Sequence, residues 1–147
     1  MSTAGLFQNN LLLDTFDLHN NSLTTLPGDL FSDAPALTAL FLNANKLAHL
    51  PTALFGDKQL QALKALILSQ NQLSQKSFAG ITFANMRSLS SLSLEDNALT
   101  LLPHDLLSRN SALASIRLEG NPLPSVCQAT FTSVADIPAE CIAAFDA

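Results

Sequence analysis

The stretch that decides the fold of this chain is Leu37-Thr38-Ala39-Leu40-Phe41-Leu42-Asn43-Ala44-Asn45-Lys46-Leu47. Its pattern, L-x-x-L-x-L-x-x-N-x-L, occurs five times, in copies that start at residues 13, 37, 63, 89 and 113. Successive copies therefore begin 24 or 26 residues apart. Self-similarity at one period of this length indicates a repeat architecture, in which each copy is one structural unit.

The residue types within the pattern predict a short strand followed by a sharp turn. Leu40 and Leu42 alternate with other residues, as in a β-strand that presents its leucines on one face. One repeat cannot bury these leucines alone, so stacked repeats should share a core and align their strands in a parallel sheet. Asparagine holds the turn position of every copy, where its amide can bond backbone groups that the turn leaves unpaired. We therefore expect a structural ladder of Asn21, Asn45, Asn71, Asn97 and Asn121.

The segment after the strand carries a family resemblance. The pattern L-P-x-x-L-[FL] occurs three times, at Leu26–Phe31, Leu50–Phe55 and Leu102–Leu107. The chain thus resembles the "typical" leucine-rich-repeat subclass, with its period of about 24 residues, found in Toll-like receptor ectodomains, variable lymphocyte receptors and small proteoglycans. The resemblance implies an α/β, right-handed solenoid with a parallel β-sheet on its concave face. It also implies an irregular or short helical convex side.

We divide the chain into three parts. Residues 1–12 are a truncated preceding repeat, residues 13–124 are the five repeats, and residues 125–147 are a C-terminal cap. Leu6-Phe7 precede Leu13 at the spacing by which Leu30-Phe31 precede Leu37, so the sequence opens inside the tail of a repeat. Either the chain is a fragment of a longer protein, or this half-repeat serves as a cap. No signal peptide is recognisable in the opening residues.

The cap contains the two cysteines of the chain, Cys127 and Cys141. Asn121-Pro122-Leu123 followed by cysteines resembles the C-terminal caps of extracellular leucine-rich-repeat proteins. Those caps commonly have four cysteines and a tryptophan, whereas this chain has two cysteines and no tryptophan. We expect a disulfide, which would indicate an oxidising compartment, and the alternative is a pair of buried thiols.

Composition and motifs disfavour several classes of function. The net charge of −5 argues against nucleic-acid binding, which depends on cationic contacts to phosphates. No apolar run approaches the roughly 18 residues of a membrane span. His19, His49 and His104 fall at different repeat phases, so they should not converge. Asp14, Asp17 and His19 could touch a metal ion, but a solvated surface pair is the better interpretation. We therefore expect no catalytic residues, no cofactor and no metal, and predict that the chain is not an enzyme.

Strand phase predicts a binding surface. Residues between and beside the inward leucines should point outward on the concave face. Phe41 and Ile67 fall on neighbouring strands at such positions, where we expect them to form a small exposed apolar patch with a charged rim. The predicted partner-binding residues are Asp17, His19, Phe41, Asn43, Ile67, Glu95, Arg117 and Glu119.

These observations favour a protein–protein interaction module that binds a protein or peptide ligand. The resemblance places it in a fragment of an extracellular or cell-surface receptor or adhesion protein. The alternative is a structural spacer or scaffold segment of a longer intracellular repeat protein, and the redox state of the cysteines distinguishes the two. Asn20-Asn21-Ser22 is a formal glycosylation sequon, although such triplets often arise by chance.

Overall fold

The computed structural model describes residues 6–56 and 59–144 and shows one sheet of short strands stacked in chain order. The first five strands are parallel to their neighbours, and the sixth runs antiparallel to the fifth. This arrangement confirms the predicted solenoid with its parallel sheet. The strands are β1 (Thr15–Asp17), β2 (Ala39–Phe41), β3 (Ala65–Ile67), β4 (Ser91–Ser93), β5 (Ser115–Arg117) and β6 (Thr130–Phe131).

Each of the strands β1 to β5 centres on one inward side chain and ends earlier than the sequence pattern predicts. Strand β2 centres on Leu40, whereas the leucine alternation suggested a centre at Phe41. Backbone pairing continues past the strand, because the Leu42 N–H donates to the Ile67 carbonyl at 2.9 Å and the Ala44 N–H donates to the Ser69 carbonyl at 3.0 Å. The Leu42 carbonyl accepts from the side chain of Asn45 at 3.0 Å.

The inward leucines of the middle repeats form a fully buried core. Leu40 and Leu66 are 0% exposed, and Leu92 is 1% exposed. Burying one leucine side chain stabilises a fold by about 1.5–3 kcal/mol, so every added repeat strengthens the shared core. On the convex side, Phe55 and Phe83 pack with their ring centroids 5.0 Å apart.

The convex side consists of irregular chain and short 3-10 turns, and the described residues contain no α-helix. The turns in repeats two and three span Thr52–Phe55 and Gln75–Phe78. Repeat three lacks the proline of the other tails, and Ser77 anchors it instead. The Ser77 hydroxyl donates to the Ala48 carbonyl at 2.6 Å and accepts from the Ser74 N–H at 2.9 Å. The irregular loop is thereby tied to the preceding repeat.

The turn asparagines bond along the solenoid axis. The Asn71 amide donates to the Leu68 carbonyl of its own repeat and to the Leu42 carbonyl of the preceding repeat, both at 3.0 Å. Its Oδ1 accepts from the Leu47 N–H at 3.0 Å. The same three types of bond recur at Asn45, Asn97 and Asn121. Each repeat is therefore fastened to its predecessor through polar groups as well as leucines.

A glutamine of the cap bonds the backbone of the last repeat's turn. The Gln128 amide donates to the carbonyls of Asn121 and Leu123, the latter at 3.2 Å. Its Oε1 accepts from the Gly120 N–H at 3.0 Å. Gln128 thus provides an acceptor for the Gly120 N–H, whose counterpart in the preceding repeat, the Asp96 N–H, donates to the Glu119 carbonyl.

At the N-terminal end, the partial repeat contributes one aromatic side chain to the core. The Phe7 ring is buried, with its centroid 5.0 Å from that of Phe16 and 6.0 Å from that of Phe31. Leu13 and Leu18 nevertheless remain half-buried, whereas their counterparts in the middle repeats are buried. The first repeat is therefore only partly covered.

At the C-terminal end, the cap closes the solenoid and contains the predicted disulfide. Cys127 and Cys141 are bonded, with their Cα atoms 5.8 Å apart, and both are 0% exposed. Strand β6 pairs with the outer edge of β5. The chain then returns to the convex side, where the Leu102 N–H donates to the Cys141 carbonyl at 2.7 Å. Phe145, which we expected within the cap, lies outside the described residues.

Candidate protein-binding surface

The strand register places the predicted binding residues in two outward rows of the sheet. We call these rows the concave surface. One row is fixed directly by strand pairing, which sets Phe41 opposite Ile67. The second row follows the strands, and its register is held by bonds such as that from the Gln70 N–H to the Glu95 carbonyl at 2.9 Å. The rows are Asp17, Phe41, Ile67, Ser93 and Arg117, and His19, Asn43, Ser69, Glu95 and Glu119.

Phe41 and Ile67 form the apolar part of the concave surface. We expected both side chains to be exposed, but they are half-buried. Neighbouring strands lie about 4.8 Å apart, so two large side chains at paired positions cover part of each other. Ala39 and Ala65, the preceding outward residues, are too short to cover them further. The patch is therefore a low apolar ridge across β2 and β3.

Next to this ridge the surface drops into a hollow. Ser93 follows Ile67 in the same row, and Arg117 follows Ser93, so a short side chain stands between two long ones. The resulting cavity measures about 300 Å³, and we call it the serine hollow. It is lined by Ile67, Ser69, Ser91, Ser93, Glu95, Ser115 and Arg117.

At the N-terminal end of the concave surface, an aspartate and a histidine pair with each other. Asp17 Oδ1 accepts from the His19 backbone N–H at 2.9 Å and lies 2.6 Å from His19 Nδ1. These hydrogen bonds, led by the one from the backbone, lower the pKa of Asp17. Because the Asp17 carboxylate already has hydrogen-bond partners, less of its hydrogen-bonding capacity is left for a ligand than the sequence suggests.

At the other end of the surface, charged side chains surround Arg117. The Arg117 Nη1 atom lies 3.8 Å from Glu95 Oε2, and the guanidinium also acts electrostatically on Glu119. Glu95 Oε2 in addition accepts from the Ser93 hydroxyl at 2.8 Å. One cation thus stands between two carboxylates.

Glu119 also holds the cap against the last repeat, a role that the repeat pattern did not indicate. Its two carboxylate oxygens accept from the Thr130 hydroxyl at 2.8 Å and from the Leu118 N–H at 3.1 Å. Burial acts to raise the pKa of Glu119, but backbone hydrogen bonds, the Thr130 bond and the charge of Arg117 together lower it. Glu119 therefore fastens β6 as well as facing outward.

The three histidines lie in separate environments. His104 Nδ1 is 2.8 Å from Asp105 Oδ1 on the convex side, far in the sequence from the Asp17–His19 pair. Among residues 6–56 and 59–144, no group of three or more histidine, cysteine, aspartate or glutamate side chains is arranged to hold a metal ion. Within the same ranges, no helix has the length and apolarity needed to cross a bilayer.

A larger hollow of about 720 Å³ opens on the convex side and was not indicated by the sequence. It lies where the irregular tail of repeat three meets repeat four and the returning cap. Lys76, Pro103, His104 and Ala143 are among its lining residues.

Comparisons with known proteins agree with this architecture. A profile described as leucine rich repeat matches residues 3–47. Lumican from Bos taurus is 35% identical over 111 residues, which cover 76% of this chain and 30% of lumican. Tsukushi from Gallus gallus is 33% identical over 122 residues, which cover 81% of this chain and 31% of Tsukushi. The chain thus spans less than a third of the length of these relatives.

A solved structure gives the same result at the level of the fold. A leucine-rich-repeat protein from Leptospira interrogans superposes with a TM-score of 0.61 at 30% identity. The match covers 75% of this chain and 26% of that chain. With five repeats of the same pattern, one stacked parallel sheet and an asparagine ladder, the chain belongs to the leucine-rich-repeat family.

Proposed function

We propose that this chain is a protein-binding module that holds a protein or peptide ligand on its concave surface. The observation that carries the proposal is the apolar ridge of Phe41 and Ile67, flanked by Asp17 and His19 on one side and by Glu95 and Arg117 on the other. An apolar centre with a polar rim is the usual construction of an interface hot spot. The proposal includes no catalytic step.

The rigidity of the frame supports this proposal. The strands that carry the ridge lie between fully buried leucines and are fastened by the asparagine ladder. Side chains on such a frame lose little conformational freedom when a ligand arrives, so more of the contact free energy contributes to affinity. The ridge is preorganised in this sense.

We further propose that the module belongs to an extracellular or cell-surface protein. The Cys127–Cys141 disulfide supports this location, because disulfides persist mainly in oxidising compartments. The similarity to lumican, a small leucine-rich-repeat proteoglycan, also supports it. An intracellular location would instead leave both cysteines as thiols in protein taken from its native source, which mass spectrometry distinguishes.

One observation favours a second function, that of a structural spacer within a longer repeat protein. Phe41 and Ile67 are half-buried against each other, and cross-strand packing of this kind stiffens a sheet without any ligand. The two functions predict different effects of the same mutations. A spacer would lose stability when the ridge is truncated, whereas a binding module would lose affinity.

A peptide-display selection tests the binding function. Random peptides displayed on phage are selected on the oxidised protein, and the affinity of the recovered peptides is measured for matched variants. We expect Phe41→Ala and Ile67→Ala to weaken binding by about fivefold or more, as hot-spot truncations do. The controls Leu12→Ala and Val126→Ala also shorten exposed apolar side chains, but outside the concave surface, and should leave affinity unchanged. Peptides indifferent to both ridge substitutions would refute the proposed surface.

A further inference from the structure

The serine hollow has the shape of a side-chain subsite. Two long side chains, Ile67 and Arg117, stand two strands apart, which corresponds to a separation of about 10 Å along the solenoid. Ser93 between them is only 5% exposed although it faces outward, because its taller neighbours overhang it. With a volume of about 300 Å³, the hollow has room for one extended side chain of a ligand, next to the apolar ridge.

The floor of the hollow presents acceptors to a ligand. The Ser93 hydroxyl donates its single proton to Glu95 Oε2 at 2.8 Å, so toward the hollow its oxygen can only accept. Glu95 itself is an acceptor-only carboxylate, and its side chain is 29% exposed. Lysine and arginine side chains have only donors at their charged ends, and they complement this floor.

The net charge around the hollow also favours a lysine or arginine side chain. Arg117 is the cation on its wall, and it stands among the carboxylates of Glu95 and Glu119. These three groups together have an excess of one negative charge. A carboxylate ligand would add to this excess, whereas one basic side chain would neutralise it.

The apolar wall excludes a purely polar occupant. Ile67 forms one side of the hollow and is continuous with Phe41 on the next strand. Methylene stems of lysine and arginine pack on such surfaces while their charged ends reach polar groups. A fully apolar side chain would cover Ile67 but would take water from the Glu95 carboxylate without replacing it, which is unfavourable.

We infer that the serine hollow binds an arginine or lysine side chain of the ligand, with its stem on Ile67 and its charged end at Glu95 and the Ser93 hydroxyl. This inference rests on the proposed function, since it names the ligand chemistry of the same concave surface. It also assigns different tasks to neighbouring residues. The Phe41–Ile67 ridge provides apolar contact, and Glu95 provides selection for charge.

The test uses small probes that need no knowledge of the natural partner. Nα-acetyl-arginine methylamide and the corresponding lysine compound are titrated into ¹⁵N-labelled protein, and amide shifts are followed by NMR. Nα-acetyl-citrulline methylamide has nearly the same shape as the arginine probe without its charge, and the glutamate analogue has the opposite charge. We expect saturable shifts centred on Ser91, Ser93 and Ser115, with citrulline bound about threefold to fivefold more weakly, as for loss of an exposed ion pair.

Two matched variants separate a local effect from a change in net charge. Glu95→Gln should weaken the arginine probe by about threefold to fivefold and leave citrulline unaffected. Glu140→Gln makes the same change at an exposed cap position and should alter neither. Equal binding of arginine and citrulline, or equal effects of the two variants, would overturn the inference.

Failure of the proposed subsite can be distinguished from failure of the proposed binding function. Peptides from the display selection that require Phe41 but tolerate Glu95→Gln and contain no basic residue would overturn the subsite and leave the binding function standing. Peptides that ignore Phe41 and Ile67 would refute the binding function. In that case the NMR titration would still report whether the hollow takes a basic side chain.

Discussion

Replacing Asn71 by alanine tests how much the asparagine ladder contributes to the stability of this solenoid. Asn71 is 9% exposed and makes three bonds at 3.0 Å, two as donor and one as acceptor. Two of its partners, the Leu42 carbonyl and the Leu47 N–H, belong to the preceding repeat and to residues that are 0% exposed. The substitution leaves the buried Leu47 N–H without a partner, whereas the Leu42 carbonyl keeps its bond from the Asn45 side chain.

The expected magnitude follows from the unpaired Leu47 N–H. An unpaired buried donor costs about 1–3 kcal/mol, so Asn71→Ala should lower the free energy of unfolding by about 2 kcal/mol. Asn21→Ala is the matched control, because it makes the same change at the same repeat position. The Asn21 side chain is exposed and donates only to the Leu18 and His19 carbonyls of its own repeat, so water can replace it. Its substitution should cost about 0.5 kcal/mol or less.

Equilibrium unfolding in urea, followed by circular dichroism, measures both values under the same conditions. Similar slopes of the transitions would show that the variants expose similar surface on unfolding, which makes the free energies comparable. Losses that agree within about 0.5 kcal/mol for Asn71→Ala and Asn21→Ala would refute the reasoning. Such a result would mean that the asparagines contribute only local turn bonds, and that the leucine core alone joins the repeats.

Three further predictions concern the two ends of the solenoid. Replacing both Cys127 and Cys141 by serine should lower the free energy of unfolding by about 3 kcal/mol, measured by thermal unfolding, and a loss near zero would contradict a stabilising cap. Hydrogen exchange should be faster in residues 13–18 than in residues 66–68, because the first repeat is only partly covered, and equal protection would show that the partial repeat is a complete cap. The pKa of Glu119 is lowered in the folded protein, so its contribution to stability should be present above its ordinary value of 4.5 and lost as the pH falls through the lower folded value. Glu119→Gln should remove this part of the acid dependence, and an unchanged pH profile of unfolding would argue against the role in fastening the cap.

The sequence by itself determined the repeat, the face of every residue in the strands β1 to β5 and the phase of the turn asparagines. A period of two within each strand sends Leu40 and Phe41 to opposite faces regardless of what surrounds them. The repeat then carries this assignment from strand to strand, so Phe41 is paired with Ile67 as expected. Likewise, the two cysteines of the cap left one intramolecular pair to form, and that disulfide is present.

The tertiary structure decided how deeply those outward residues are covered. The phase of Ile67 says which way it points, but its half-burial depends on the size of Phe41 beside it. The same holds for Ser93, which is 5% exposed between the longer side chains of Ile67 and Arg117 and bonds to Glu95. The exposure of a side chain depends on the sizes of the side chains on neighbouring strands. It therefore cannot be predicted from the pattern of one strand alone.

Contacts of the cap were also decided by the tertiary structure alone. Gln128 bonds the backbone of the last repeat's turn, and Thr130 bonds to Glu119, yet neither residue has a repeat phase from which its neighbours follow. Periodic segments place their side chains by symmetry, because each copy repeats the geometry of the last. In an irregular segment, the position of each side chain depends on the conformation of the backbone. That conformation is determined only when the segment packs against the folded repeats.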